Sequence, residues 1–393
     1  MKILYFSPNP HLRIEDQAGY GTHMREMIAA FKALGHEVHI LIAGRKKNYH
    51  NLVKRPQQRD FTRKNLLKKL IPRLLWETLR DLRLIQIDRS NKFQLTQLVA
   101  EFKPDVIYER SHYGMVSGVS VAMANGIHHV LEVNSPNVDE RIILSGKSLL
   151  HQRALKKDRW SFTHTDHLLT VSTYLAEYLE ITHISKKWSI TPNAIRPGQQ
   201  EESELELRRS ALNLDDAAIV LGFVGSLFPW HGVDLIIEAV AHLRQKDRNI
   251  QAIIIGDGMI RKKLEALTMS FQLTDAIHFV GSVPQFDTFA YTDLCNILIM
   301  PKSNAYGSPV KIFEYALSKK PCIVPNTSPV REVFEHEQDG WVVHPNLNAI
   351  ASAIESIIDS PLKAEQCADN WYKKVTTKHT WQANAALALS MIQ

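Results

Sequence analysis

Short aliphatic runs alternate along the chain with stretches of helical spacing, and the architecture that buries both kinds of segment is a layered α/β fold with parallel strands. The first half offers five such runs: Lys2 to Phe6, Glu37 to Ile42, Asp105 to Tyr108, His129 to Val133 and His167 to Val171. The second half repeats the pattern with Ile219 to Val224, Ile253 to Gly258, Phe279 to Pro284, Asn296 to Met300 and Pro321 to Pro325. Between the halves lie Thr191-Pro192-Asn193-Ala194 and a polar run from Arg196 to Glu206, which read as a linker. Two doubly wound domains follow, and 393 residues are enough for each to bury its own core.

In such folds ligands gather in the loops beyond the carboxyl ends of the strands. In the first half those loops hold Arg110, His112 and Tyr113, then Asn134, Asn137, Asp139, Glu140 and Arg141, and then Ser172. These are candidate acceptor contacts, although each taken singly reads equally well as a helix cap or a solvated loop residue. Gly19-Tyr20-Gly21 follows the first strand, and Thr22 is placed to cap a helix carrying Met24, Met27, Ile28 and Phe31. This is not a dinucleotide fingerprint, because Met24 takes the third glycine position and no acidic residue ends the second strand.

The densest stretch is PKSNAYGSPVKIFEYALSKKPCIV, Pro301 to Val324. Ser308 reads as an N-cap and Pro309 as the first helical residue, which would leave the N–H groups of Val310, Lys311 and Ile312 pointing outward as an anion site. Val310, Phe313, Ala316 and Leu317 face the core, and Lys311 and Glu314 are i,i+3 neighbours on another face. A capped surface helix with an ordinary ion pair fits the same residues.

Cys295, Cys322 and Cys367 are odd in number and have no CxxC spacing, so buried free thiols are expected rather than a disulfide framework or a zinc site. The first residues are too short and wrongly flanked for a signal peptide, and no apolar run is long enough to span a bilayer, so a cytoplasmic protein is expected. Charge is uneven: residues 45–92 hold 15 Lys and Arg against 4 Asp and Glu, in a chain of net charge +6, so the rest is net acidic. Within that segment Leu66, Leu67, Leu70, Ile71, Leu74, Leu75 and Trp76 form an apolar face that Pro72 bends. Such a face can lie on an anionic membrane, peripherally and on its inner side, or it can cover the sheet. Nucleic acid is not expected, since no binding motif or repeated exposed aromatics accompany the charge.

The GHEV, PNAI, GSLFPWHGVDLIIEAV, IIIGDG, FVGSVP, SPVKIFEYALSKKPCIV and DGWVV passages, in that order, resemble the family 4 retaining glycosyltransferases over nearly the whole chain. That resemblance implies the GT-B fold, two Rossmann-like domains facing across a cleft. It implies 1–196 plus 372–393 as the acceptor-side domain with a C-terminal crossover helix, and 197–371 as the nucleotide-sugar domain. It further implies transfer of a hexosyl-type sugar from a UDP- or GDP-sugar to a glycan or lipid-linked acceptor in polysaccharide biosynthesis, by front-face displacement without cofactor or metal. Carried over by position, Glu314 takes the second carboxylate of the E-x7-E motif, on the donor ribose, while Tyr306 stands at the first, in an SPxKxFEY variant.

Donor contacts carried over or inferred are Gly19, Gly225, Ser226, Val283, Tyr306, Ser308, Pro309, Val310, Lys311, Ile312 and Glu314. The Arg and Lys that usually grip the diphosphate fall on Ser226 and His231, so Lys311 is read as the compensating charge, with Lys311, His231 and Glu314 as the catalytic set. His231 is expected to titrate near neutrality. A histidine of the first domain falls on Asn134, which leaves a polar contact but no acid or base. Two other readings use the same residues: a nucleotide-sugar-binding protein without turnover, and a sugar-nucleotide epimerase.

Overall fold

The computed structural model describes residues 1–16, 19–44, 71–185, 187–198, 205–390 and 392. The basic stretch as far as residue 70, Ala18 and the linker at 199–204 lie outside them. Contacts divide the chain into two units, Met1–Asp16 with Tyr20–Thr191 and Ala385–Gln393, and Gln17–Gly19 with Pro192–Asn384.

The first unit is built on six parallel strands, β1 (Lys2–Ser7), β2 (Glu37–Ile42), β3 (Val106–Arg110), β4 (His128–Val133), β5 (His167–Thr170) and β6 (Trp188–Ile190), in the order β2-β1-β3-β4-β5-β6. Because successive side chains of a strand point to opposite faces, Leu4 and Phe6 of β1 join Leu95 and Val99 of the helix Arg73–Phe102 in one core. Tyr5 stacks on Tyr108 of β3, whose ring also meets the edge of Phe31 from the helix Gly19–Ala33. That helix begins at Gly19, so Thr22 lies inside its first turn and is not its cap.

The second unit repeats the plan with β7 (Ile219–Val224), β8 (Ile250–Ile255), β9 (Ile277–Gly281), β10 (Ile297–Ile299), β11 (Cys322–Pro325) and β12 (Trp341–Val343), ordered β12-β11-β10-β7-β8-β9 and parallel throughout. Every residue of β8 is buried, as expected of a strand covered on both faces. Leu221, Phe223 and Ile254 join a core with the helices Val233–Arg244 and Leu347–Asp359, whereas Val220, Ile253 and Ile255 face the helix Val310–Leu317. In each sheet the chain reverses its direction of strand addition once, between β1 and β3 and between β7 and β10. The carboxyl-end crevice at such a reversal is where doubly wound sheets take ligands.

The division differs from the expected one at both ends. The second unit starts at Pro192 rather than after residue 196, and the chain rejoins the first unit only at Ala385. Trp371 accounts for the second difference. Its fully buried ring packs between Phe313 and Phe334 and its indole N–H donates to the Ile312 carbonyl at 2.9 Å, which ties the helix Pro361–Lys378 to the second unit. Truncation to alanine would cost about 3–5 kcal/mol by the usual range for large buried aromatics. Ile195 bridges Thr380 and accepts from the Trp381 amide, so the segment after that helix stays with the second unit as well. Cys295, Cys322 and Cys367 are free and buried, all in this unit. No described helix is long and apolar enough to cross a membrane.

Candidate active site

The reversal between β7 and β10 brings two loops together, 225–232 after β7 and 300–309 after β10. Gly225 leaves β7 with φ +145°, a conformation that side-chain-bearing residues rarely adopt. A Cβ there would stand 2.4 Å from Lys311 Nζ, so glycine is what lets the lysine tip reach the strand end. Gly256 is equally constrained, because a Cβ on it would press against the Gly225 carbonyl. The two glycine loops therefore close against each other and leave the lysine between them.

The Lys311 side chain runs inward to a tip with essentially no solvent access, where Nζ has no hydrogen-bond partner and lies 4.8 Å from the centre of the Phe223 ring. Burial pulls its pKa down from 10.5 to about 7, against the opposing pull of the Glu314 carboxylate. A buried cation with no hydrogen-bond partner costs free energy, which the Glu314 carboxylate offsets only in part.

His231 closes the loop 225–232. Its Nδ1 lies 2.6 Å from the Ser226 carbonyl, which can only accept, so Nδ1 carries the proton and Nε2 is left as an acceptor. Burial first, and then the Lys311 charge, press its pKa down to about 3. The expectation that His231 titrates near neutrality is therefore corrected: the imidazole is neutral throughout the physiological range. Ser226 takes part through its backbone, since its carbonyl orients the ring.

The helix Val310–Leu317 has Pro309 at its N-cap position and no side-chain cap. Ser308 does not cap it, contrary to expectation. Its Oγ accepts instead from the Asn193 amide at 3.0 Å, and its carbonyl accepts from Asn193 Nδ2. The Ile312 N–H turns back to the Pro309 carbonyl at 3.3 Å, so the uncapped end is presented by Val310 and Lys311. Asn304 Oδ1 accepts from the Gly307 N–H and tightens the turn that carries Tyr306. Tyr315 pins the other side: its hydroxyl accepts from the Val224 N–H at 3.1 Å, fixing the helix to the end of β7. Glu314 is half-buried on the same helix, and Val283 packs on the core beneath it from the turn after β9.

In the first unit two of the four expected acceptor residues, Arg110 and Asn134, meet at one carboxylate. Glu132 of β4 is buried and meets His23 at 2.6 Å, Arg110 at 3.1 Å, the Tyr108 hydroxyl at 2.9 Å and the Asn134 amide. Burial alone would raise its pKa, but His23 and Arg110 outweigh burial and hold it at about 2. Arg110 and Asn134 are thus directed at Glu132. His112 Nδ1 lies 3.1 Å from Asn9 Nδ2, and burial holds its pKa at about 3. Asn137 donates to the Ser111 hydroxyl at 3.0 Å. Gly19 opens its helix. Sequence reasoning missed Glu132, Asn193 and Tyr315. Asn193 stood in the PNAI passage, Tyr315 in the SPVKIFEY passage and Glu132 in the run from His129 to Val133, but none was singled out for its own contacts.

Two family models match adjoining parts of the chain, Glycosyltransferase Family 4 over residues 18–199 and Glycosyl transferases group 1 over 205–374. Among curated relatives, the alpha-D-kanosaminyltransferase of Streptomyces kanamyceticus is 30% identical over 44% of this chain and 45% of its own length. The amylovoran biosynthesis glycosyltransferase AmsK of Erwinia amylovora is 25% identical over 65% of this chain and 62% of its own. The match spans less than two thirds of either relative. Of solved structures, sucrose-phosphate synthase from Thermosynechococcus elongatus superposes with a TM-score of 0.72 at 18% identity, over 98% of this chain and 96% of that one. Anabaena HepE in complex with UDP gives 0.71 at 15% identity over 99% of both chains. With both family models side by side along the chain and two parallel six-stranded sheets of the GT-B kind, this protein belongs to the family 4 glycosyltransferases.

Proposed function

We propose that this chain is a retaining glycosyltransferase that moves a sugar from a UDP- or GDP-sugar to a glycan or lipid-linked acceptor. The observation that carries the reading is the Lys311 amine, buried and unpartnered at the β7/β10 reversal, behind a glycine that opens the way to it. A diphosphate supplies the missing counter-charge there, with the uncapped amides of Val310 and Lys311 beside it. Anabaena HepE, of the same fold, was solved with UDP, and this supports a nucleotide ligand for the present chain.

In a front-face displacement the bond from the sugar C1 to the leaving phosphate oxygen breaks and the acceptor oxygen bonds to C1 on the same face. The acceptor proton passes to the departing phosphate. No nucleophile from the protein is needed. The chain's contribution is to hold the charge growing on the phosphate through Lys311 and the helix amides. Neutral His231 offers an acceptor at Nε2, suited to a donor hydroxyl and not to phosphate, so of the two side chains Lys311 takes the cationic role. Glu314 takes the ribose hydroxyls, and Gly19, Ser226, Val283, Tyr306, Ser308, Pro309 and Ile312 shape the donor contact. Arg110, His112, Asn134 and Asn137 serve the acceptor side.

The test is incubation of purified protein with UDP- and GDP-sugars and candidate glycans. Nucleoside diphosphate release that requires acceptor, with the anomeric configuration kept by NMR, is the expected result. Binding without release, or isomerised donor without release, would overturn it.

A further inference from the structure

The helix Arg73–Phe102 is unusual over about its first six turns. There its buried stripe carries Glu77, Asp81, Asp88 and Asn91 beside Leu84, whereas Leu75, Leu79, Leu82 and Phe93 are exposed by 45–66%. The acids are turned inward to specific partners. Arg141 lies 2.7 Å from Glu77 and 2.9 Å from Asp81, the Tyr113 hydroxyl donates to Asp81, and Asp88 accepts from the Val116 and Ser117 amides, with Lys157 at 3.6 Å. Every acid between residues 73 and 93 is consumed in this way, so the outer face of that stretch keeps only cations.

At 100° per residue, positions 75, 79, 82 and 93 fall within a narrow arc opposite the buried stripe, a line about 27 Å long that exposed Gln86 interrupts between Leu82 and Phe93. Arg83 and Arg89 flank it on either side. The line widens at its N-terminal end, where the Leu149 amide donates to Thr78 and the Ser145 carbonyl accepts from Arg73, bringing exposed Leu149 and Ile143 alongside.

We propose that this face docks the first unit onto an anionic lipid surface, the leucines and Phe93 entering the headgroup boundary while the flanking arginines meet lipid phosphates. The charge pattern argues against a second copy of the chain, because two such faces would oppose arginine to arginine with no acid between them. The proposal is independent of the donor reading, since lipid binding is measured without any sugar nucleotide and can fail or succeed by itself.

The test is co-sedimentation of the full chain with phosphatidylcholine vesicles, alone or mixed with phosphatidylglycerol. Binding only to the anionic vesicles, weakened by salt, is expected. Two double variants, Leu79→Gln with Leu82→Gln and Arg83→Gln with Arg89→Gln, should each lower it by about tenfold, with melting temperature and UDP response unchanged. The proposal is overturned by wild-type affinity in both variants or by absence of binding to either vesicle. It is equally overturned by a dimer that the leucine variants abolish, or by hydrogen-exchange protection of residues 75–93 in the lipid-free monomer that is lost when residues 45–70 are deleted.

Discussion

Lys311 Nζ and the Phe223 ring stand 4.8 Å apart in the second unit, a lone ammonium over an aromatic face with no carboxylate bonded to it. The ring offers a modest attraction of about 0.5–2 kcal/mol, less than the cost of stripping water from the amine. The sign follows directly. The folded amine loses its proton near pH 7 and the unfolded one near 10.5. Between those values the unfolded chain holds more protons, so stability climbs as pH rises through this window and the burden is full below it. Lys311→Met should therefore raise the melting temperature of the unliganded protein at pH 6 and reduce nucleoside diphosphate affinity by tenfold or more. Calorimetric melting and titration on one preparation measure both, and a lower melting temperature with intact affinity would refute the assignment.

Phosphate binding should also restore the proton to Lys311. At pH 8 the titration of UDP or GDP should take up protons, visible as a heat that varies with the ionisation enthalpy of the buffer, and the uptake should vanish in Lys311→Met. His231 contributes no such step near neutrality, since burial holds its pKa at about 3.

Gly225→Ala adds one methyl where the lysine tip stands and places it at φ +145°. The ammonium must shift or the strand end must move. Donor affinity is expected to fall about tenfold or more, with backbone strain on the order of 1–3 kcal/mol read from urea unfolding.

Asn193→Ala removes the Nδ2 bond to the Ser308 carbonyl and leaves that buried acceptor without it, while the backbone N–H at 193 still reaches the Ser308 hydroxyl. A loss of about 1–3 kcal/mol is expected, together with a rise in donor KM, because the loop before Val310 is held less firmly. Steady-state kinetics against donor concentration would detect it.

Glu132→Gln leaves His23 and Arg110 facing an amide in a buried setting. By the usual range for breaking one side of a buried pair the cost is about 3–5 kcal/mol. The wild-type carboxylate has its pKa depressed from 4.5 to about 2, so its stabilisation is complete above 4.5 and is lost as pH falls through that interval. The variant's deficit in thermal unfolding should accordingly be large at pH 7 and shrink toward pH 2.

The parallel layering was legible because aliphatic runs need cover on both faces, although the run read as Ile253 to Gly258 forms its strand at Ile250–Ile255 and the edge strands β6 and β12 were not among the expected runs. Local chemistry read from neighbours in sequence fared worse. Ser308 before Pro309 has the form of a cap, yet Asn193, far away in the chain, claims its hydroxyl. Thr22 looked like a helix start, yet the first turn already begins at Gly19. The Glu132 cluster joins the helix Gly19–Ala33, two strands and a loop, and nothing in the spacing of His23, Arg110, Glu132 and Asn134 announces that they converge. The depressed pKa of His231 likewise depends on burial and on a lysine of another loop. The basic segment stood out in its charge, but only three dimensions show that Glu77, Asp81 and Asp88 face inward.

The three thiols offer a clock. Cys295, Cys322 and Cys367 are shielded from solvent, and burial pushes the Cys295 thiol up to about 12 and the Cys322 thiol higher still, so little thiolate is present to attack a reagent while the second unit is closed. Alkylation of Cys295 and Cys322 must then wait for the region of β10 and β11 to open, and that of Cys367 for the helix Pro361–Lys378 to lift. Mass-resolved labelling would time the breathing of that half of the molecule alone, since the first unit holds no cysteine to report its own.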